Sequence, residues 1–401
     1  STHPDSLVYS AVTGQWKRLR DWLAGDRVAS HDLSTGEVSS QPTSEGFIEA
    51  TGQMYEVTTK RGLKIRVWEG HRFLTWNRRR WPSGQRVARF KEAQGAGWAR
   101  LWDLVPGDPI AVATSVPEPL STVRMPEHEV EYLAFLIANG SCTGSNHGIF
   151  TCGDHAPLTR ARVRECAEQF PDTQMQEEFD TSGGSTRWRC KPVQPGTRSY
   201  SWSVRDFVEK YGLDKTAHFK DIPEEVFRLP NDQVALFLSR LIDTDGWVSI
   251  SNTAEIGYVT MSRALAESVQ RLALRLGVAM SITEAKAKNQ IPDYEGIRYT
   301  VRVRDAEMVE RLASQLSLLD KEPFRVAALE WASQITKRRA LFGDILWDRI
   351  ETIEPLGEGE YWSLTEPLNA NYVANGGFVN RNSGKDHICR VSSLRIAYLL
   401  L

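Results

Sequence analysis

The chain has 401 residues, of which 41% are hydrophobic and 25% are charged, and its formal net charge is −2 at pH 7. This composition fits two or three globular domains, and it neither requires nor excludes a nucleic-acid partner. No apolar run approaches the roughly 18 residues of a membrane span and no signal peptide opens the sequence, so we expect no membrane partner. The odd count of five cysteines favours reduced thiols in the cytoplasm.

The first 115 residues have the pattern of a β-rich domain. Short strands separated by turns are predicted in four segments: DSLVYS (5–10), RVASHDL (27–33), MYEVTTK (54–60) and KIRVWEGHRFLTW (64–76). A proline-bearing linker follows at 114–129. Strand-like sequence returns only at 344–380, so we expect the last strands to complete the domain that the first strands begin.

Between these β-rich ends, residues 129–335 have mixed α/β character. Two apolar helices are predicted in VEYLAFLIANG (130–140) and DQVALFLSRLIDTDG (232–246), and each ends in glycine. Each is followed by strand-like and then helical sequence, such as 262–277. The matching order, about a hundred residues apart, predicts an internal duplication.

Groups at the two ends of the sequence have the chemistry needed to break and remake peptide bonds. The Ser1 hydroxyl can attack the carbonyl that precedes it, which exchanges an amide for an ester. The Asn382 amide can attack its own carbonyl and break the bond to Ser383, whose hydroxyl can take over the acyl group. His71 follows a predicted strand and is the candidate proton donor for the first break.

Four blocks carry a resemblance to a known family: STHPDSLVYS, GLKIRVWEGHRFLT with His71, ILWDRIETIE, and NYVANGGFVNRNS. In order and spacing they resemble the splicing (Hint) domain of an intein, and the insert resembles a LAGLIDADG homing endonuclease. The resemblance implies a mainly β, horseshoe-like Hint domain, discontinuous in sequence, with an inserted α+β endonuclease domain. The implied boundaries are 1–120 and 340–382 for the splicing domain, 125–335 for the insert, and 383–401 for downstream host protein.

The resemblance also implies a reaction in which the chain excises itself from a host protein and ligates the flanks. Ser1 would be the first nucleophile, His71 the block histidine, Asn382 the cyclising residue and Ser383 the acceptor nucleophile. This single-turnover, autocatalytic reaction would need no cofactor.

Four positions depart from the family pattern. Trp68 stands where Thr is usual, Ser363 where Asp is usual, and Ala370 and Arg381 where His is usual. Each change removes a hydrogen-bonding or proton-transfer group. Arg381 cannot exchange a proton near pH 7, but it can polarise the Asn382 carbonyl.

In the insert, the resemblance places two helices side by side, with acids at their ends that hold divalent metals against DNA phosphates. Asp245 fits this role as a ligand for Mg²⁺. Asn139 occupies the equivalent place on the first helix and supplies an oxygen without charge, so the nuclease is predicted to be degenerate. Asp243 is expected to face solvent or to cap the helix.

Two further features concern partners. Arg78, Arg79 and Arg80 lie among aromatic residues and suit contacts to double-stranded DNA, although a solvated loop explains them equally well. SGKDH (383–387) looks like the back half of a phosphate loop without its glycine-rich front half. It indicates a P-loop ATPase host, such as a helicase or terminase, although Asp386 replaces the usual Ser or Thr. The spliced-out chain is expected to be a monomer.

Two other functions remain open at this level. The chain can be an active LAGLIDADG homing endonuclease whose splicing domain is impaired or trapped, and Asn139 argues against this. It can also be a fragment of a P-loop ATPase in its own right, which the missing half of the phosphate loop argues against. A hedgehog-type autoprocessing domain would share the β fold, but the insert and the Asn382-Ser383 junction favour splicing.

Overall fold

The structure is a computed structural model that describes residues 1–76, 96–144, 148–153, 155–179, 185–193, 202–286, 296–336 and 341–382. The chain divides into two compact units. The first contains residues 1–122, 277–279 and 340–401, and the second contains residues 123–276 and 280–339. No helix among the described residues is long and apolar enough to cross a membrane.

The first unit consists mainly of β-strands drawn from both ends of the sequence. Its strands are β1 (Leu7–Tyr9), β2 (Trp16–Arg18), β3 (Arg27–His31), β4 (Val38–Pro42), β5 (Phe47–Thr59), β6 (Lys64–Trp68), β7 (Arg72–Trp76), β8 (Ala96–Arg100), β9 (Pro109–Ala113), β18 (Ile345–Ser363), β19 (Asn371–Ala374) and β20 (Phe378–Arg381). Two short 3-10 helices, Leu19–Asp21 and Leu101–Asp103, connect strands of this unit.

Most of these strands form one sheet in the order β2-β1-β19-β20-β7-β9-β18-β5-β6, with β8 paired to β7, while β3 and β4 pair separately. Strands β19 and β20 therefore lie between β1 and β7, and β18 lies between β9 and β5. The late strands are interior members of a sheet begun by the early ones. The predicted mainly β, discontinuous domain is confirmed.

The core of this unit explains why both ends of the sequence are needed. Val8, Leu19, Trp22 and Val28 pack in one buried cluster with late residues, among them Tyr372. Removing a large apolar side chain from such a cluster typically costs about 2–5 kcal/mol. The early strands therefore cannot bury their apolar faces without the late ones.

The second unit contains helices and two small sheets. Its elements are α1 (Glu127–Asn139), β10 (Gly140–Ser141), β11 (Ile149–Gly153), α2 (Pro157–Glu168), β12 (Thr173–Phe179), β13 (Ser185–Pro192), α3 (Ser203–Lys210), α4 (Glu224–Phe227), α5 (Asn231–Asp245), β14 (Gly246–Ile250), β15 (Ala254–Thr260), α6 (Arg263–Ala273), β16 (Ser281–Lys286), β17 (Ile297–Val303), α7 (Ala306–Gln315) and α8 (Glu322–Gln334). Two 3-10 helices, Ala217–Phe219 and Leu274–Leu276, complete it.

The two halves of this unit repeat one plan. Helix α1 precedes a sheet of order β10-β11-β13-β12, and α5 precedes a sheet of order β14-β15-β17-β16. In both halves a helix separates the second strand from the third, and α1 packs against α5. The structure thus shows the predicted duplication.

A glycine ends each of the two central helices for a steric reason. A Cβ atom on Gly140 would lie 2.7 Å from the Leu136 Cα, and one on Gly246 would lie 2.6 Å from the Ile242 Cα. Both distances are shorter than any normal carbon–carbon contact. The chain can therefore leave each helix directly into a strand only where no side chain is present.

Candidate functional site

The beginning of the chain is fixed by backbone hydrogen bonds to two strands of the large sheet. The Thr2 N–H donates to the Trp362 carbonyl at 2.9 Å, and the Trp362 N–H donates back to Thr2 at 2.8 Å. Thr2 also forms a bridge with Val67, and the Trp68 N–H donates to the Ser1 carbonyl at 3.3 Å. Ser1 is therefore held at a defined position in the sheet.

The α-amino group of Ser1 lies in a largely buried place. Burial lowers the pKa of this amine below its usual value, and the nearby Glu49 carboxylate acts in the opposite direction. The Ser1 nitrogen and the Glu49 Oε2 atom are 3.6 Å apart. Glu49 is thus an acidic neighbour of the nitrogen that an acyl shift would convert from amide to amine.

His71 lies beside Ser1 and is almost completely buried. Burial lowers the pKa of His71 well below its usual range and the Ser1 amine lowers it further, while the Asn380 side chain and the Ser1 backbone oppose this. Among the described residues neither ring nitrogen has a hydrogen-bond partner within 3.5 Å. The ring packs edge-on against Phe73, with centroids 4.7 Å apart. Burial thus disfavours the charged form of the His71 imidazole.

Asn380 was missed by sequence reasoning, although it lies on the strand next to His71. It is fully buried on β20 and pairs with Phe73 in the sheet register. Its Nδ2 donates to the Phe378 carbonyl at 3.1 Å, and its Oδ1 has no hydrogen-bond partner among the described residues. No sequence signal distinguishes Asn380 from an ordinary strand residue, because its position beside His71 depends on the pairing of β20 with β7.

Asn382 follows β20 directly, and its amide is firmly held. Its Nδ2 donates to the Glu366 carbonyl at 2.7 Å, and its backbone N–H donates to the Ala370 carbonyl at 3.0 Å. A hydrogen bond from Nδ2–H to a carbonyl makes the amide nitrogen more electron-rich, which favours attack on its own carbonyl carbon. Ser383 lies outside the described residues.

The Glu366 carboxylate organises the turn that carries these carbonyls. It accepts hydrogen bonds from the Leu368 N–H at 2.7 Å, the Asn369 N–H at 2.8 Å and the Ser30 hydroxyl at 3.1 Å. Within this turn Ala370 has a φ of 56°, a left-handed conformation that costs a non-glycine residue about 1 kcal/mol or more. The network keeps Ala370 in that conformation beside Asn382.

Three of the four residues that depart from the family pattern contact other groups of the chain. The Trp68 ring stacks on Tyr361, with centroids 4.9 Å apart and an interplanar angle of 13°. The buried Ser363 hydroxyl donates to the Leu364 carbonyl at 3.2 Å. The Arg381 guanidinium lies over Trp98, 5.2 Å from the ring centroid. Neither the Trp68 indole nor the Ala370 methyl group can transfer a proton.

Space for the Trp68 indole depends on two glycines. A Cβ atom on Gly52 would lie 2.8 Å from the ring, and one on Gly70 would lie 2.2 Å from it. The Trp68 ring therefore occupies space that is free because residues 52 and 70 are glycines.

In the second unit, Asn139 and Asp245 end the packed helices α1 and α5, as predicted. The Asn139 Nδ2 donates to the Thr151 carbonyl. Burial raises the pKa of Asp245 to about 6, while Lys220 and Lys321 act to lower it. The structure thus places one carboxylate, one amide and two lysines at the ends of these helices.

The two lysines, which sequence reasoning missed, bind the carbonyls at the helix ends. The Lys220 Nζ donates to carbonyls at the end of α1: Leu136 at 3.3 Å, Ile137 at 2.9 Å and Gly140 at 2.8 Å. The Lys321 Nζ donates to carbonyls at the end of α5: Ile242 at 2.6 Å, Asp243 at 2.7 Å, Thr244 at 3.3 Å and Gly246 at 2.7 Å. Both ammonium groups complement carbonyls that the helices leave unpaired.

This donor set fits a divalent metal poorly. Hard cations such as Mg²⁺ take several oxygen ligands, usually including carboxylates, and two ammonium groups repel them. In the part of the chain that the structure describes, no group of three or more His, Cys, Asp or Glu side chains is suited to hold a metal ion. Asp245 as a metal ligand therefore stays a prediction that its neighbours do not favour.

The expectation that Asp243 faces solvent or caps the helix is wrong. Its side chain is buried, and its Oδ2 accepts from the Arg240 Nη1 at 2.6 Å. Its Oδ1 accepts from the Leu319 N–H at 2.9 Å. Arg240 also donates to the buried Glu131 on α1 at 2.6 Å. Asp243 therefore belongs to an ionic network between the helices, because a partner three residues earlier on α5 points to the same side.

The predicted DNA contacts Arg78, Arg79 and Arg80 lie outside the described residues.

Comparison with known proteins gives a family for part of the chain and relatives for most of it. The model of the LAGLIDADG-like domain family matches residues 232–317. A replicative DNA helicase DnaB from Rhodothermus marinus is 25% identical over 83% of this chain and 40% of its own length. The DnaB helicase of Nostoc sp. is 22% identical over 95% of this chain and 49% of its own length. The chain thus spans less than half the length of either relative.

Residues 232–317 thus match the LAGLIDADG-like domain family, and the relatives that match most of the chain are DnaB helicases. Solved structures similar to the chain include an Ssp DnaB mini-intein, with 12% identity over 96% of this chain and 95% of that chain and a TM-score of 0.34. The N-terminal LAGLIDADG domain of WhiA is 11% identical over 50% of this chain and 88% of that chain, with a TM-score of 0.32. The predicted resemblance to an intein with a LAGLIDADG-like insert and the predicted fold class are confirmed.

Proposed function

We propose that the chain is a self-splicing intein that removes itself from a host protein. The observation that carries the proposal is the position of His71, which lies within reach of Ser1 and of Asn380 on β20, the strand that leads into Asn382. Groups from both ends of the sequence therefore lie around one imidazole. A hydroxyl, a neutral imidazole and an oriented Asn amide are the groups that the reaction requires.

In the first step, the Ser1 Oγ attacks the carbonyl carbon of the preceding residue. The carbon–nitrogen bond breaks and an ester forms. The Ser1 hydroxyl loses its proton, and the Ser1 nitrogen gains one. His71 lies close to Ser1, and burial favours its neutral form. The N–H of this neutral ring can donate a hydrogen bond to the Ser1 nitrogen as it leaves.

In the next steps, the Ser383 hydroxyl attacks the ester, and the Ser1 hydroxyl recovers a proton. The Asn382 Nδ2 then attacks the Asn382 carbonyl carbon, which closes a succinimide, breaks the bond to Ser383 and transfers a proton to the Ser383 nitrogen. That amine finally attacks the neighbouring ester and restores an amide between the flanks. Arg381 polarises the Asn382 carbonyl in the cyclisation step.

Intact-mass spectrometry tests this proposal. The chain carries a short peptide fused before Ser1 and is incubated over a pH range. Splicing gives the upstream peptide joined to residues 383–401 together with a released fragment of residues 1–382. Release of 383–401 alone means that Asn382 cyclises without the acyl shift, and an unchanged mass throughout contradicts the proposal.

We further propose that the host is a replicative helicase. The relatives over most of this chain carry that name, and each extends well beyond the matched part. A helicase contains the phosphate loop whose second half SGKDH resembles. Fusion of 383–401 to the first half of such a loop, followed by an ATP-binding titration before and after splicing, tests this host assignment.

For the LAGLIDADG-like domain we propose DNA binding with impaired cleavage. One carboxylate beside two lysines lacks the second acid of a two-metal site. Splicing needs no cofactor, whereas any residual cleavage would require Mg²⁺. Incubating the chain with a long double-stranded DNA library and Mg²⁺ tests this, since site-specific cuts at catalytic turnover would overturn it.

A further inference from the structure

The Glu49 carboxylate lies close to the nitrogen of the bond that the first splicing step breaks. Its Oε2 atom is 3.6 Å from the Ser1 nitrogen, and the two side chains are only 14% and 16% exposed. Oε2 is inaccessible to solvent and has no hydrogen-bond partner within 3.5 Å among the described residues. An anionic oxygen is thus withdrawn from water and directed at the Ser1 nitrogen.

A β-bulge accounts for this direction. On β18, Tyr361 pairs with Ala50 and the following Trp362 pairs with Ile48, so Glu49 has no partner. Trp362 is the residue whose backbone pairs with Thr2. An extra residue in one strand changes the direction of its side chain, and such bulges often lie beside active sites.

Two tyrosine hydroxyls of the described residues also lie near Glu49. Burial raises the pKa of both Tyr361 and Tyr372, and the Glu49 charge raises it further. Both phenols therefore lie within the electrostatic reach of Glu49. Tyr372 Oη is in turn 3.5 Å from the Thr2 Oγ1 atom. The Ser1 amine is therefore the cation with which Glu49 forms an ion pair among the described residues.

The acyl shift changes the charge at this nitrogen. Before the shift the Ser1 nitrogen is a neutral amide, and after it the nitrogen is an amine that takes up a proton. A carboxylate 3.6 Å away stabilises the ammonium more than the amide. Such an interaction favours the ester state and the transition state that leads to it. Trp68 and Ser363 provide no charged group for this purpose.

On this basis we propose that Glu49 is a catalytic residue of the first splicing step, where its carboxylate stabilises the positive charge that develops on the departing Ser1 nitrogen. This inference rests on the proposed splicing function. The family pattern has an acid at position 363. In this chain the proposed acid is Glu49, which lies on a different strand, at the bulge in β5.

The experiment isolates the first step. The chain with a peptide fused before Ser1 carries Asn382→Ala, which blocks cyclisation, and hydroxylamine captures the ester as a released peptide hydroxamate. Glu49→Gln, which keeps size but removes charge, is compared with Glu358→Gln on the exposed part of β18. We expect Glu49→Gln to slow release about 100-fold, at the lower end of the loss seen when one electrostatic contact to a transition state is removed, and Glu358→Gln to leave it unchanged.

Ser1→Ala separates the two proposals. If Ser1→Ala releases peptide as fast as its parent, the splicing proposal fails. If Ser1→Ala stops release while Glu49→Gln matches Glu358→Gln, the splicing proposal stands and the role of Glu49 is overturned. With Asn382 restored, Glu49→Gln should release 383–401 at the parental rate, and loss of that release would indicate a merely structural role.

A second measurement does not depend on splicing. On the chain with a free Ser1, reductive methylation with ¹³C-formaldehyde and NMR detection reports the titration of the α-amine. Loss of the Glu49 charge should lower the pKa of this amine below that of the parent, whereas Glu358→Gln should not change it. An α-amine pKa that is the same in all three chains would overturn the proposal.

Discussion

The two units of the chain each contain a carboxylate close to a nitrogen cation, yet the arrangements have opposite consequences. In the first unit, the Glu49 Oε2 atom has no hydrogen-bond partner among the described residues and lies 3.6 Å from the Ser1 nitrogen. In the second unit, Asp245 lies near Lys220 and Lys321, whose ammonium groups already donate to backbone carbonyls. The unpaired Glu49 oxygen beside Ser1 is available for chemistry, whereas the two lysines near Asp245 are part of the scaffold because they already bind helix-end carbonyls.

The largest expected effect in the first unit concerns Asn382. Asn382→Ala removes the attacking nitrogen, so release of 383–401 should stop completely. Mass spectrometry of the purified chain over several days measures this, with the exposed Asn252→Ala as the control. Release from the Asn382→Ala chain at the parental rate would show that the Asn382-Ser383 bond breaks by another route.

A smaller effect is expected from His71. Its replacement by alanine should slow peptide release at Ser1 by about 10²- to 10⁴-fold, the usual contribution of a positioned proton-transfer group. Since burial holds the pKa of His71 well below its usual range, the parental rate should show no inflection near pH 6.5. The exposed His218→Ala serves as control. Equal rates for the two alanine variants would remove His71 from the mechanism.

In the second unit, Asp245 should destabilise the fold when it is ionised. Its pKa is raised from 3.8 to about 6, so the unfolded chain loses this proton first, and native stability falls as pH rises from about 4 to 6. Asp245→Asn should therefore stabilise the unit at pH 8 relative to pH 4 by about 2–3 kcal/mol, because each pKa unit corresponds to 1.36 kcal/mol. Urea unfolding at both pH values measures this. A gain that does not change with pH would contradict it.

The smallest expected effect belongs to the lysines. Replacing Lys321 by methionine leaves the carbonyls at the end of α5 unpaired and should lower the free energy of unfolding by about 1.5–3 kcal/mol. Lys220→Met should cost slightly less, because Lys220 donates to fewer carbonyls. Urea unfolding with the exposed Lys215→Met as control measures both. If all three variants were equally stable, the lysines would be free to serve another purpose at this site.

Sequence reasoning worked best where a local pattern determines the structure. Both glycine-terminated helices were predicted close to α1 and α5, because their apolar periodicity and stop signals are local. The role of the late strands was also predictable, since β-rich sequence at both ends needed a common core.

What the sequence could not reveal depends on pairing between distant strands. Glu49 faces Ser1 only because β18 opposes β5 with a one-residue bulge, and nothing in FIEATGQ indicates that bulge. Asn380 lies beside His71 only because β20 pairs with β7. The prediction for Asp243 failed for a related reason, since its partner Arg240 also contacts Glu131 on a different helix.

The interior position of β19 and β20 has a consequence for the order of events during synthesis. A ribosome must complete the whole insert before it produces these strands, so the sheet stays open until β18, β19 and β20, which begin at Ile345, emerge. Loop closure over so long a segment is slow compared with local folding. The insert can therefore fold first, and the bond-breaking groups meet only after the upstream segment has already had time to fold.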